Sequence, residues 1–228
     1  MIVFGEFIFS RIVRKKTIKK IIILGSKGKM GKHFASIFSS KYQIIEVDSD
    51  TPCAVELLDD EIDLVIDFSI ASFDTFSYLK KALEKQIPVI TGTTGRTKEE
   101  LLRLGKISKQ YKTSFVYKPN YALGIKIIEP WIELFKGDEW IKKIEETHAL
   151  TKKDTPSGTA LHLARIATID RNNIISKRAE NAKPTHSIIF ENDAEIITIT
   201  HTIKSQTAYD ALIETYIDMI ENGYVLEY

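Results

Sequence analysis

The chain has 228 residues, of which 43% are hydrophobic and 28% charged; it can bury a substantial core without disulfide or metal staples, and disorder is excluded over most of its length. Its 32 Lys plus Arg against 31 Asp plus Glu leave a net charge of +1, without the basic excess that a phosphate backbone requires, so nucleic acid is not expected as a partner. The single cysteine, Cys53, can form neither an internal disulfide nor a cysteine-based metal site; it suits a reducing compartment and reads as a small buried apolar residue.

Residues 1–13 form a mostly apolar run interrupted by Glu6 and Arg11 and followed by Arg14, Lys15, Lys16, Lys19 and Lys20. The run is too short to span a bilayer, and its positive charges follow the apolar stretch, the reverse of a signal peptide. Residues 1–16 are therefore expected to be an extension peripheral to function, and the protein is expected in the cytoplasm with neither membrane nor metal partner.

An apolar run at 21–24 then ends in Gly25-Ser26-Lys27-Gly28-Lys29-Met30-Gly31, after which Phe34, Ile37 and Phe38 recur at helical spacing. This predicts strand, glycine turn, helix. Further strands are expected at 43–47, ending at Asp48, at 63–66, ending at Asp67, and at 87–90 and 114–117, with helices at 73–86 and 98–109. Such alternation implies a doubly wound parallel sheet with right-handed crossovers. Past Tyr121 the texture changes: 140–147, 187–191 and 195–202 alternate like strands with one exposed face, and 208–221 carries Ala211, Leu212, Tyr216 and Met219 at helical spacing. The expected organisation is an extension (1–16), an α/β domain (17–121), an α+β domain with a mixed sheet (122–204), and a C-terminal helix (205–228) returning to the first domain.

Three constellations carry chemistry. Gly25, Gly28 and Gly31 follow a strand and open a helix, where backbone N–H groups can approach a pyrophosphate, and Asp48 ends the next strand 23 residues on, where a carboxylate can accept from a ribose diol. Asp67-Phe68-Ser69 and Gly92-Thr93-Thr94 fall at the carboxyl ends of predicted parallel strands, where open α/β sheets bind ligands. Taken singly, each of these could be an ordinary strand-ending turn, Asp67 more readily than the Thr93-Thr94 pair. In the third, alternation puts Ile144, Glu146 and His148 on one face of a strand, Lys152 lies four residues on, and Ser157-Gly158-Thr159 opens a helix. A histidine, a lysine and a helix N-terminus within twelve residues make an anion site with proton-transfer capacity.

With these motifs the chain resembles the dihydrodipicolinate reductase family from Lys19 to about Glu221. The family's G-x-x-G-x-M-G turn is met at 25–31, its D-F-[ST] at 67–69, its G-T-T-G at 92–95, its P-N-[FY]-[AS]-x-G at 119–124, and its E-x-H-H-x-x-K-x-D-x-P-S-G-T signature at every fixed position from Glu146 to Thr159 except one. His186 and Phe190 fit its G-x-H-x-x-x-F pair with the glycine lost, and His201 a histidine that follows. The resemblance implies a Rossmann-like domain plus a substrate-binding and oligomerisation domain, and delivery of a hydride from a nicotinamide to C4 of 4-hydroxy-tetrahydrodipicolinate after loss of water, in diaminopimelate and lysine biosynthesis.

It assigns acid/base chemistry to His148 and proton donation to Lys152, and substrate binding to Lys152, Ser157, Gly158 and Thr159. Cofactor binding falls to Gly25, Ser26, Lys27, Gly28, Lys29, Met30, Asp48, Phe68, Gly92, Thr93, Thr94, Lys118, Pro119, Asn120 and Tyr121. Asp48 favours NADH over NADPH, although Lys27 and Lys29 could meet a 2′-phosphate. The assembly implied is a homotetramer built through the second-domain sheet.

Ala149 replaces the family's second histidine. Its H-S-L-R-x-G-G loop stands as 175–181 with Arg178 kept and both glycines lost, and Gln206 and Leu212 replace an arginine and a glycine. These departures leave room for a catalytically degenerate relative that binds nucleotide or serves assembly. A reductase of another imine, such as an aspartate dehydrogenase, is disfavoured by the Lys-Lys-Asp-Thr-Pro-Ser-Gly-Thr run at 152–159.

Overall fold

The computed structural model describes residues 15–51 and 54–226; the expectations for residues 1–14 and for Cys53 lie outside them. The chain divides into two compact units, one running to Lys118 and resuming at Ile213, the other Pro119–Leu212.

In the first unit β1 (Lys20–Leu24), β2 (Gln43–Val47), β3 (Leu64–Asp67), β4 (Val89–Thr91) and β5 (Phe115–Tyr117) form one sheet in the order β2-β1-β3-β4-β5. All four pairings are parallel. α1 (Lys29–Phe38), α2 (Phe73–Glu84) and α3 (Lys98–Tyr111) supply crossovers. Past Lys20 the central strands are buried throughout, Ile21, Ile22 and Ile23 among them, as a sheet covered on both faces requires. α2 and α3 each start on a capping box, Ser72 with Thr75 and Thr97 with Glu100, which satisfies otherwise orphaned N–H groups. After the final helix α6 (Asp210–Glu221), the chain runs beside β5, where Phe115 N donates to Leu226 O and Leu226 N to Ser114 Oγ, each at 3.0 Å. Strand order reverses between β1 and β3, the place where doubly wound sheets open a crevice.

In the second unit β6 (Ile141–Ala149), β7 (Ile174–Ala179), β8 (Thr185–Glu191) and β9 (Ile196–Thr202) form a mixed sheet in the order β7-β6-β8-β9. β6 pairs parallel with β7, with α5 (Gly158–Ala167) in the connection, and the other pairings are antiparallel. Helix α4 (Leu123–Glu133) and α5 share a core with the inner face of this sheet, through Ile125, Ile132, Leu163, Ile144, Ile188 and Phe190.

Two elements escape the sequence reading. α4 contains Gly124 and Pro130, both of which read as breakers. The glycine is needed there: a Cβ at Gly124 would stand 2.7 Å from the His201 ring. The segment 175–181, expected as a loop, is strand through Ala179, and Asn181 takes φ +53 in the turn beyond it. Asparagine tolerates that left-handed conformation better than most residues, so one of the lost glycines has a workable substitute.

Candidate active site

The glycine turn follows from close packing at the β1–β3 switch point. Gly25 has φ +76, and a Cβ on it would lie 2.7 Å from Phe68 O, so only glycine lets the end of β1 meet the end of β3. A Cβ on Gly31 would lie 2.1 Å from Gly25 O; α1 therefore rests directly on the turn. Contrary to the expectation that the turn's own N–H groups face a ligand, several are committed. Gly25 N and Ser26 N donate to Val47 O at 2.8 and 3.3 Å, Gly28 N to Gly25 O at 3.0 Å, and Lys27 N to Asp48 Oδ2 at 2.8 Å. The α1 N-terminus is uncommitted by comparison: its N-cap, Gly28, provides no side-chain cap, and its first turn, with Lys29 and Met30, has no acidic residue.

Asp48 accepts from Lys27 N and, through Oδ1, from Ser49 N at 2.8 Å, which together hold its carboxyl below the usual carboxylate range. Lys27 Nζ is ion-paired to Asp50. Phe68 stacks on Phe34 of α1 at 5.1 Å.

The open question over Asp67 is answered by its surroundings. Fully buried, it accepts from Ser69 N at 3.0 Å, Ser69 Oγ at 2.5 Å, Thr91 Oγ1 at 2.7 Å and Arg96 Nη2 at 3.2 Å. It fastens the ends of β3 and β4 and is a structural anchor. Gly92 N donates to Asp67 O, and Thr93 is buried with its hydroxyl directed to Ser69 O at 3.2 Å, while Thr94 is half-buried. Lys118 N donates to Thr91 O at 3.2 Å at the end of the first unit.

In the second unit, past Pro119, Asn120 Nδ2 donates to Thr159 Oγ1 at 3.0 Å and its Oδ1 accepts from Ala122 N at 2.7 Å; Tyr121 is buried. Strand register then writes rows across the inner face. Ile174, Ile144, Ile188 and Ile199 stand abreast, as do Ser176, Glu146, His186 and His201, and Arg178 stands beside His148. An apolar row thus borders a polar row made of one hydroxyl, one carboxylate and two imidazoles.

Glu146, wholly inaccessible, receives Ser157 N at 3.0 Å and Ser176 Oγ at 2.7 Å on Oε1, with Arg178 Nη2 at 3.4 Å. Burial favours its neutral form, but the neighbouring His186 and the hydrogen bonds from Ser157 and Ser176 outweigh that and hold the carboxyl well below its ordinary value. His148 Nδ1 lies 3.4 Å and His186 Nε2 3.6 Å from Glu146 Oε2. Burial, then the charge of His186, pushes His148 down to about 4, with Lys152 and Arg178 acting the same way and Glu146 opposing. His148 is therefore neutral near pH 7.

The Lys152 loop is clamped from β7. Arg178 Nη2 donates to Asp154 O at 2.6 Å and Thr155 Oγ1 at 3.1 Å, and Nε to Lys152 O at 3.4 Å. Lys152 Nζ pairs with Asp154 Oδ1 at 2.9 Å. Burial opposes ionisation of Asp154, but Lys152 and the Gly158 N–H outweigh it and keep the carboxyl below its usual range. Ser157 caps α5, its Oγ accepting from Ala160 N at 3.2 Å, and the same oxygen lies 3.2 Å from His186 Nε2. His148, the Lys152 loop and the opening of α5 are thus brought together around one buried carboxylate. In the sequence Glu146 was placed on one strand face with Ile144 and His148 but given no role, and Arg178 was noted only as a motif position; their roles depend on a cross-strand register that a linear pattern does not display.

Among the described residues no helix is long and apolar enough to cross a membrane. The family model described as dihydrodipicolinate reductase, N-terminus, matches residues 19–121, and the one described as dihydrodipicolinate reductase, C-terminus, matches 122–211. A 4-hydroxy-tetrahydrodipicolinate reductase of Christiangramia forsetii is 31% identical over 211 residues, covering 83% of this chain and 87% of the relative. That of Thermosipho africanus is 31% identical over 194 residues, covering 82% and 84%. In fold, the chain is similar to the dipicolinate-bound dihydrodipicolinate reductase of Paenisporosarcina sp. TG-14, with a TM-score of 0.66 at 18% identity over 92% of this chain and 97% of that one. The two models together match residues 19–211, and with the relatives' similarity this establishes that the chain belongs to the dihydrodipicolinate reductase family.

Proposed function

We propose that this protein reduces 4-hydroxy-tetrahydrodipicolinate to tetrahydrodipicolinate with a reduced nicotinamide dinucleotide. The observation that carries the reading is the convergence of neutral His148, the ammonium of Lys152 and the N-terminus of α5, a set suited to gripping a carboxylate and moving a proton. The relatives' names point to the same substrate. The reaction consumes one hydride and one proton and releases water and the oxidised dinucleotide.

The glycine turn fits a dinucleotide, since it opens directly into the N-terminus of α1, which has no side-chain cap and no acidic residue in its first turn. When bound, the nicotinamide supplies the hydride. Gly25 to Met30 would hold the pyrophosphate end, Asp48 the adenosine ribose, and Phe68 with Gly92, Thr93 and Thr94 the nicotinamide end; the resemblance assigns Lys118, Pro119, Asn120 and Tyr121 to cofactor binding as well. Gly158 and Thr159 would hold a substrate carboxylate, with Ser157 fixing the start of the helix. Lys152, cationic and half-exposed, is the proton donor; His148, neutral, is the acceptor.

Asp48 favours NADH, because an adenosine 2′-phosphate would meet a like charge. Pairing of Lys27 with Asp50 withdraws the nearest cation that could offset that repulsion. We read the protein as a cytoplasmic homotetramer assembled through the outer face of the second sheet, where Ile141, Ile175 and Ile196 are exposed.

The test is a coupled assay with freshly generated substrate, following loss of reduced-nicotinamide absorbance. Turnover supports the reading. Tight NADH binding without turnover favours instead the degenerate nucleotide-binding protein that Ala149 suggests.

A further inference from the structure

The buried row on β6 and β8 contains an arrangement that carboxylate gripping and proton donation leave unused. Glu146 has one satisfied oxygen and one that is not. Oε1 receives Ser157 N, Ser176 Oγ and Arg178, whereas Oε2 is sealed from solvent with no hydrogen-bond partner. It faces His148 Nδ1, also sealed and unpartnered, across 3.4 Å, and His186 Nε2 across 3.6 Å. A buried anion this close to an imidazole nitrogen is tolerable only if that nitrogen carries hydrogen; the other tautomer would set two lone pairs against each other in a low-dielectric pocket. Only Nδ1 of the His148 ring is both buried and without a partner.

We propose that Glu146 is the positioning residue of the site: through Oε2 it fixes His148 as the Nδ1–H tautomer, so that Nε2 keeps its lone pair for the reacting groups. The same carboxylate, through Ser157 and Arg178, sets the α5 N-terminus and the Lys152 loop, so one buried charge aligns the acceptor, the donor and the carboxylate grip. The inference rests on the reductase reading of His148. Groups facing the ring from neighbouring elements are His186 on β8, Arg178 on β7 and Lys152 in the loop; none offers an acceptor to Nδ1 as Glu146 does.

Glu146, His148 and His186 also place three ligand-type atoms within 4.8 Å of one another. Divalent zinc there would have to share the pocket with the Arg178 guanidinium, a cation already against the carboxylate, and take His186 from Ser157. The hydrogen-bonded reading needs neither change.

The two readings part in the variant Glu146→Gln. Its amide oxygen can still accept from Ser157, Ser176 and Arg178, which turns the NH2 toward His148 and forces Nδ1 to accept, leaving hydrogen on Nε2. Ring 15N shifts of His148, assigned by loss in His148→Asn, are expected to show Nδ1–H in the parent and Nε2–H in Glu146→Gln. Turnover is expected to fall tenfold or more with the KM for NADH within twofold, and Glu146→Asp to recover part of it. The proposal is overturned by Nε2–H in the parent, by an unchanged tautomer in Glu146→Gln, or by stoichiometric zinc binding that His186→Ala abolishes. Should Glu146→Gln fail to fold, the parent spectrum alone still decides. If the parent does not turn over the substrate, the reductase reading falls while the tautomer measurement stands.

Discussion

Asp67 and Arg96 show how a residue that reads as part of a ligand crevice can instead hold it open. Both side chains are fully buried, and Arg96 Nη2 also reaches Thr75 Oγ1 at 3.0 Å, linking the strand ends to α2. Removing one partner of a buried pair strands the other charge, at a cost of about 3–5 kcal/mol. Arg96→Met is therefore expected to lower the unfolding free energy by that amount in urea titration, and Asp67→Asn to cost no less, because the amide still accepts from the three hydroxyl and amide donors but leaves the buried guanidinium without its counter-charge. His148 adds a pH dependence. Its folded value of about 4 lies below the ordinary 6.5, so the unfolded chain binds the proton more readily. The stability that the neutral ring contributes is complete above pH 6.5 and is lost as pH falls toward 4, on the order of 3 kcal/mol. Glu146, held below its usual range, loses its contribution in the same direction at lower pH. Chemical denaturation at pH 7 and pH 4.5 should show the decline, reduced in His148→Asn. For catalysis, Lys152→Ala is expected to cut turnover a hundredfold or more while the NADH Kd stays within a few-fold, since a proton donor contributes about 10²–10⁴ in rate. Kinetics and fluorescence titration on the same preparation separate the two.

At the scale of elements, the glycine turn and α1 behave as one piece. With Gly31 packed against Gly25 O, a methyl group cannot be admitted without moving the helix off the turn. Gly31→Ala is expected to weaken NADH binding at least tenfold and to leave the second unit's sheet intact, a separation readable by nucleotide titration beside amide exchange on β6 and β8. The strands and helices of the first unit were legible because each is a local pattern: an apolar run buried on both faces, a glycine turn, a capped helix. β7 was not, because Ile174 to Ala179 alternates around Ser176, Lys177 and Arg178, and only pairing with β6 shows that the polar residues at 176 and 178 face inward. α4 was hidden by Gly124, whose missing side chain is required by His201, a residue far along the chain.

For the whole molecule, the cofactor preference and the assembly proposed above rest on charge and on the exposed isoleucines of one sheet face. A fixed carboxylate at Asp48 with Lys27 neutralised by Asp50 is expected to give NADH a five- to thirtyfold advantage over NADPH in kcat/KM, on the order of 1–2 kcal/mol. Asp50→Asn should narrow it by freeing Lys27, more at low salt than at high. Sedimentation should report a tetramer, and Ile175→Glu, which puts a charge on the outer face of the second sheet, should shift it to smaller species.

The amino-acid sequence alone determined the alternation of strand and helix, three of the four strands of the second sheet, the glycine turn and the segment from Glu146 to Thr159, because each is written in residues close together in the chain. What only the tertiary structure decided is which of those residues meet. Asp67 became an anchor once Arg96 and Thr91 reached it, and Glu146 became the centre of the site once register set Ser176 on one side of it and His186 on the other. Hydrogen bonds and buried charges act over a few ångströms in space, and separations of 24 to 40 residues along the chain do not reveal which groups those ångströms will join.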